Sequence, residues 1–239
     1  MSDTPTTDTR ERILAAAERL FMTQGYDASS TRQITAEAGV NLAAVNYHFR
    51  NKDGLIQALL KRRLNAINAE RLRVLDALEA AAKGKPLKPS QILDAFFGTL
   101  IRMGAGASHG GGTFLRLLGR TVTEPNDFIR ALLAEEYADV VTRFREALFR
   151  ALPDVPQDEI VWRFHFMLGA TSYAISGTDA LRVAAGWSDS DARAPDDLER
   201  LLPRLMSFLL GGLRAPLPDH RSAAAKPGSR SRQPKGRSK

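Results

Sequence analysis

The chain has no cysteine in 239 residues, which excludes a disulfide framework, a thiolate metal site and a cysteine nucleophile. Long apolar runs are also missing. Between Arg163 and Asp179 there is no charged residue, but that stretch is short and is interrupted by Gly, Ser, Thr and His, so it cannot span a bilayer. The opening MSDTPTTDTR lacks a charged head followed by an apolar segment, and no secretory signal is expected there. A soluble cytoplasmic chain without a membrane partner is the expectation.

Catalytic signatures are equally scarce. His48, His109, His165 and His220 show no HExxH spacing and no carboxylates at ligand intervals, so no metal site is expected. No serine sits in a GxSxG elbow, and the Glu135-Glu136 pair has the setting of a solvated helix face. The run Gly104 to Gly112 (GAGASHGGG) lacks a Lys-Ser or Lys-Thr ending and a preceding strand, which makes it a connector rather than a phosphate loop. Neither an enzyme nor a cofactor is expected.

The net charge of +7 is unevenly placed. Residues 214–239 hold eight basic side chains and one acidic one, and residues 1–213 hold 26 of each sign. Basicity therefore belongs to a tail rich in Pro, Gly, Ser, Ala, Lys and Arg, which is expected to be disordered. Such a tail is either a solubilising extension or a non-specific arm drawn to phosphates.

The most informative segment is Ser29 to Phe49, SSTRQITAEAGVNLAAVNYHF. Ser30 and Gln33 make a capping box that starts a short helix near Thr31, and Gly39 supplies the left-handed exit. Asn41 is an N-cap for a second helix, Leu42 to Phe49, whose Val45 and Phe49 close on Ile34. Thr9 to Gln24, with Ile13, Leu14, Ala17, Leu20 and Phe21 on one face, provides a third helix to bury the pair. The layout is a helix-turn-helix. Its outward residues are Leu42, Ala43, Ala44, Asn46, Tyr47 and His48: small apolar groups suited to thymine methyls, then Tyr47, His48, Arg50 and Lys52 within reach of phosphates.

Downstream, the pattern predicts only helices, at about 52–82, 90–103, 113–122, 126–151, 156–185 and 196–213. The predicted fold is all-α: a flexible 1–8, a helix-turn-helix domain over 9–52, a larger helical ligand-binding and dimerisation domain over 53–213, and the tail 214–239. Gly169, Ala170, Ala174 and Gly177 form a small-residue stripe with Phe166 and Tyr173 beside it, and the last helix is rich in leucine. Both helices are expected either in the core of the chain or in a two-fold interface. A cavity is expected among Phe96, Phe97, Leu100, Met103, Phe114, Leu117, Leu118, Phe128, Leu132, Trp162 and Phe166. Arg102, Arg116, Arg120 or His165 would hold a carboxylate in it.

Residues Arg10 to Leu55, through Gly25-Tyr26, Ile34-Thr35, Ala38-Gly39-Val40, Tyr47-His48-Phe49 and Lys52, resemble the DNA-binding domain of TetR-family bacterial regulators. Gly39 to Phe49, Trp162 to Ala170 and Ser176 to Arg182 are similar to the PsrA-type branch, whose members respond to long-chain fatty acids. The resemblance implies a homodimeric repressor released from a palindromic double-stranded DNA operator by a fatty acid or fatty acyl-CoA. A sensor of diverse amphipathic or aromatic compounds controlling efflux or detoxification is the alternative. It further implies that Thr31, Tyr47, His48 and Lys52 contact phosphates and that Arg32 reaches a guanine. Leu42, Ala43 and Ala44 would touch base edges, Asn46 would read adenine, and Asn41 belongs to the same DNA-facing set. Effector binding would swing the long linker helix and spoil the half-site spacing of about 34–36 Å.

Overall fold

A computed structural model describes residues 4–26, 28–104, 114–119, 127–176, 184, 186 and 198–218, and all regular structure among these residues is helical. The first helix, α1, runs Thr4–Gln24. It begins five residues before the expected Thr9 and takes in residues 4–8 of the segment expected to be flexible; Pro5 falls in the first turn, where a missing N–H costs no helix hydrogen bond. Gly25, at φ 87°, ends it. Then come α2 (Thr31–Ala38), α3 (Leu42–Phe49) and the long α4 (Lys52–Ala82).

The larger half contains α5 (Pro89–Leu93), a π-helical turn at Asp94–Gly98 and α6 (Thr99–Gly104), which replace one expected helix over 90–103. It also contains α7, described over 114–119, α8 (Asp127–Ala151), α9 (Gln157–Ser176) and α10 (Leu198–Leu213). The segment Gly104 to Gly112 lies outside the described residues beyond Gly104, as does the tail from 219 onward.

Helix α4 joins the two halves. Leu55, Leu59, Leu60, Leu64, Ile67 and Leu75 form its buried stripe, and through it the side chains under α1–α3 and those among α5–α10 make one continuous core. In the larger half α4 packs on α8, α8 on α9, and α9 on α10. Arg163 of α9 secures the last contact by donating from Nη1 to the Leu213 carbonyl at 2.7 Å, which satisfies an orphan acceptor at the end of α10.

The seam between α1 and α4 is ionic. Glu18 of α1 is nearly buried and accepts from Arg62 and from Arg63 Nε, the latter at 2.6 Å. Replacing Glu18 by Ala leaves Arg62 with Glu11, at 3.0 Å, and strips Arg63 of the carboxylate it pairs with. Removing one partner of a fully buried pair costs about 3–5 kcal/mol; the partial exposure of both arginines lowers the expectation to about 1–2 kcal/mol. A urea midpoint for Glu18→Ala equal to that of the parent would contradict this role.

Candidate DNA-reading surface and effector cavity

The reading head is assembled by local rules. Ser30 Oγ accepts from the Gln33 amide at 3.2 Å while Gln33 Oε1 accepts from the Ser30 amide at 2.7 Å, so the capping box is complete. Gly39 sits at φ 63°, and Arg12 Nη2 from α1 donates to the carbonyls of Ala38 (2.7 Å) and Gly39 (3.1 Å), pinning the turn. Asn41 Oδ1 accepts from the Ala44 amide at 2.9 Å and starts α3. Ile34, Ala38, Val45 and Phe49 are buried.

What remains outside is the candidate reading surface. Arg32, Asn41, Leu42, Ala43, Asn46 and Tyr47 are exposed, and Thr31, Ala44, His48 and Lys52 are half-buried. Tyr47 stands 79% exposed with its ring edge-on to His48 at 5.0 Å. Lys52 Nζ lies 4.1 Å above the Tyr26 ring, and the Tyr26 hydroxyl donates to Asp53, so the cation at the start of α4 is held beside the end of α3. Asn41 has committed its side-chain oxygen to the cap, and only its amide nitrogen is left to face outward.

The second feature is a cavity of about 530 Å³ inside the larger half, within the range of about 300–1,000 Å³ usual for small-molecule sites. Phe96, Phe97 and Leu100 form one wall, and Leu118 of α7 adds to it. Ala134, Tyr137, Ala138, Val141 and Thr142 come from α8, and Leu168, Thr171, Ser172 and Ile175 from α9. The π-helical turn shapes the aromatic wall, placing Phe96 edge-on to Phe97, Phe144 and Phe164 at 4.9, 5.1 and 5.0 Å.

Arg71 of α4 also lines this cavity, and only 1% of it is exposed. Its Nε donates to the Phe96 carbonyl at 2.8 Å and its Nη1 to Asn68 Oδ1 at 2.9 Å, while the guanidinium lies 3.9 Å over the Phe96 ring. Burial pushes its pKa below the ordinary arginine range, and the Tyr137 side chain acts against that shift.

Residues 13–59 match the bacterial regulatory proteins of the tetR family, and residues 94–212 match the tetracyclin repressor-like C-terminal domain. The chain belongs to the TetR family. Among curated relatives, it is 43% identical over 54 residues to the uncharacterized HTH-type transcriptional regulator YvkB of Bacillus subtilis, covering 23% of this chain and 29% of YvkB. It is 38% identical over 74 residues to the nicotine-responsive transcriptional repressor HdnoR of Paenarthrobacter nicotinovorans, covering 31% of this chain and 38% of HdnoR. These matches span well under half of each relative. Among solved structures, the fatty acid degradation regulator FadR from Bacillus halodurans superposes with a TM-score of 0.56 over 90% of this chain and 99% of FadR. At 16% identity that likeness shows the fold alone. Membership in a family of regulatory proteins agrees with the expectation that the chain is not an enzyme.

In this TetR-family chain the expected cavity residues separate into three groups. Phe96, Phe97, Leu100 and Leu118 come together on the cavity wall. Trp162, His165 and Phe166 do not: they are exposed on α9, whose buried positions Ile160, Arg163, Met167, Thr171 and Ile175 follow the helical period on the opposite side. Met103 is exposed, and Arg116 and Leu117 are half-buried away from the cavity. Arg102 spends its charge on Asp94, at 2.9 Å. Arg120 lies outside the described residues.

The polar groups that do line the cavity, Arg71, Tyr137, Thr142, Thr171 and Ser172, are absent from the sequence-based set. A readable signal existed for one of them. Arg71 continues the series Leu60, Leu64, Ile67 and Leu75 at three- and four-residue steps, so a charged residue stands in the inward stripe of an amphipathic helix. The contributions of α8 and α9 depend on how three helices cross, which no local pattern encodes.

Proposed function

We propose that this chain is a homodimeric, ligand-responsive transcriptional repressor that binds a palindromic operator through α2 and α3 and is released by a long-chain fatty acid or its coenzyme A ester. The observation that carries the reading is that α4 belongs to both sites. Its first turn abuts α3, and Arg71, farther along the same helix, lines a cavity whose other walls are mostly apolar. A ligand that favours one placement of α4 thereby biases the spacing of the reading heads. The family pattern puts Thr31, Tyr47, His48 and Lys52 on phosphates and Arg32 on guanine; Leu42, Ala43 and Ala44 then meet base edges, and Asn46, where the family pattern carries Tyr, reads adenine if the helix presents it to the groove.

The dimer reading is supported by the outer face of α9 and α10. Trp162, Phe166, Tyr173 and Phe208 are exposed there, with Phe166 at 65%. Carbon atoms built onto Gly169, Gly211 and Gly212 would meet nothing within 4 Å, so a second helix pair can approach closely. Gly177 of the expected stripe lies outside the described residues. No described helix is long and apolar enough to cross a membrane.

Genomic fragments selected by the purified protein supply the operator for a mobility-shift titration. Long-chain fatty acid or acyl-coenzyme A should release the DNA. Release by aromatic drugs and by neither acyl compound would assign the cavity to efflux or detoxification sensing instead.

A further inference from the structure

Several arginines around the larger half are answered by carboxylates: Arg63 by Glu18, Arg102 by Asp94, Arg143 by Asp76 and Glu79, and Arg163 by Glu159. Arg71 is not. It is the most deeply buried of these, and no carboxylate pairs with it among the described residues. A guanidinium has five N–H donors in a planar fork; Phe96 O and Asn68 Oδ1 accept from two of them, and the Tyr137 ring lies 5.4 Å from the guanidinium carbon. The same cavity is lined by Thr171, whose Oγ1 is buried and has no hydrogen-bond partner among the described residues. Fully buried charges and hydroxyls are costly unless partnered, so both groups favour a ligand that brings the missing atoms.

We propose that Arg71 is the carboxylate-binding group of this cavity, with Thr171 Oγ1 as a second polar contact, so that the cavity selects amphiphilic monoanions over neutral molecules of the same shape. The carboxylate accepts from the free edge of the guanidinium, while Phe97, Leu100, Val141 and Ile175 receive the hydrocarbon. This rests on the cavity being the effector site and adds which end of the ligand is read, and by which helix. Because Arg71 also holds the Phe96 carbonyl, an anion arriving at its free edge touches α4 and the π-helical turn through one side chain.

Oleate and oleyl alcohol test this directly, since they share a chain and differ in the charged end. With the full-length protein, calorimetric titration should show oleate binding at least about tenfold more tightly than the alcohol, as a charge-assisted hydrogen bond implies. Arg71→Met, which replaces the cation by an apolar chain of similar length, should bring the ratio close to one. Thr171→Val should lower it by less. Equal affinity of the parent for both ligands, or an unchanged ratio in Arg71→Met, would overturn the proposal while leaving the cavity as a ligand site. Binding of neither ligand would remove the fatty-acid reading itself. Should Arg71→Met not fold, Arg71→Lys decides, because losing the fork should still weaken oleate about tenfold relative to the alcohol; an unchanged ratio there overturns the proposal equally.

Discussion

Gly54→Ala should be among the most damaging single-methyl additions in the DNA-reading half. Gly54 lies in the first turn of α4, where its amide donates to the Asn51 cap at 2.8 Å. Its Cα faces the Phe49 carbonyl at the end of α3. A Cβ built there would fall far inside 3.0 Å of Phe49 O, and the obstructing atom is backbone, which cannot rotate away. Gly54 does not have a positive φ, so the penalty is steric and not conformational. The connection is too short to absorb the clash: only Arg50, at φ 67°, and Asn51 separate the two helices, and the Asn51 amide is tied to Phe49 O at 2.8 Å. Relief must come from moving the first turn of α4 away from α3. Overpacking of this kind costs about 1–3 kcal/mol or more, and a shifted α3 should also reduce duplex DNA affinity by roughly tenfold. Gly25→Ala is the proper control: Gly25 has φ 87° and open space around it, so it reports conformational strain alone, about 1–2 kcal/mol. Calorimetric melting with fluorescence anisotropy on labelled duplex separates the two. If Gly54→Ala melts and binds like the parent, the close approach does not govern the geometry of the head.

That contact also shows where legibility ends. Ser30, Gln33, Gly39 and Asn41 act within three or four residues of themselves, and each performs the part its spacing implies. The end of α4 follows as directly from the Gly84, Pro86 and Pro89 cluster. Gly54 carries no such mark, because its reason for being glycine is the carbonyl of a different helix. The same holds for Arg12, whose hydrogen bonds to Ala38 and Gly39 cross from α1 to the turn.

In the larger half the obstacle is that α9 is apolar on two sides. Ile160, Met167 and Ile175 point to the core, while Val161, Trp162, Phe166 and Tyr173 point outward, so aromatic density alone cannot distinguish a cavity wall from an assembly face. Anchors were equally open to confusion. Arg102 lies near the aromatic cluster in the chain but pairs with Asp94 on the surface, whereas Arg71 is distant in sequence and reaches Phe96 through the fold.

Phe96→Ala follows from that packing as the largest expected loss of stability in this half. The Phe96 ring meets three other phenylalanines edge-on and lies under the Arg71 guanidinium, so truncation removes aromatic contacts and a cation–π partner together. Removing a buried phenylalanine side chain costs about 3–5 kcal/mol, which for a chain of this size lowers the melting temperature by roughly 10 °C. The loss should exceed simple area bookkeeping, because the site adjoins an existing cavity and Phe144 and Phe164 are held by neighbours that oppose collapse. Phe96→Leu, which keeps most of the volume but not the ring, should recover more than half of the lost stability. The recovered part measures volume and the remainder measures ring geometry. Because Arg71 Nε is bound to the backbone of Phe96 and not to its ring, both variants should retain that hydrogen bond. Their preference for oleate over oleyl alcohol should therefore survive even as the melting temperature falls. A preference lost in Phe96→Leu would mean that the ring, and not the carbonyl, is what fixes the guanidinium in place.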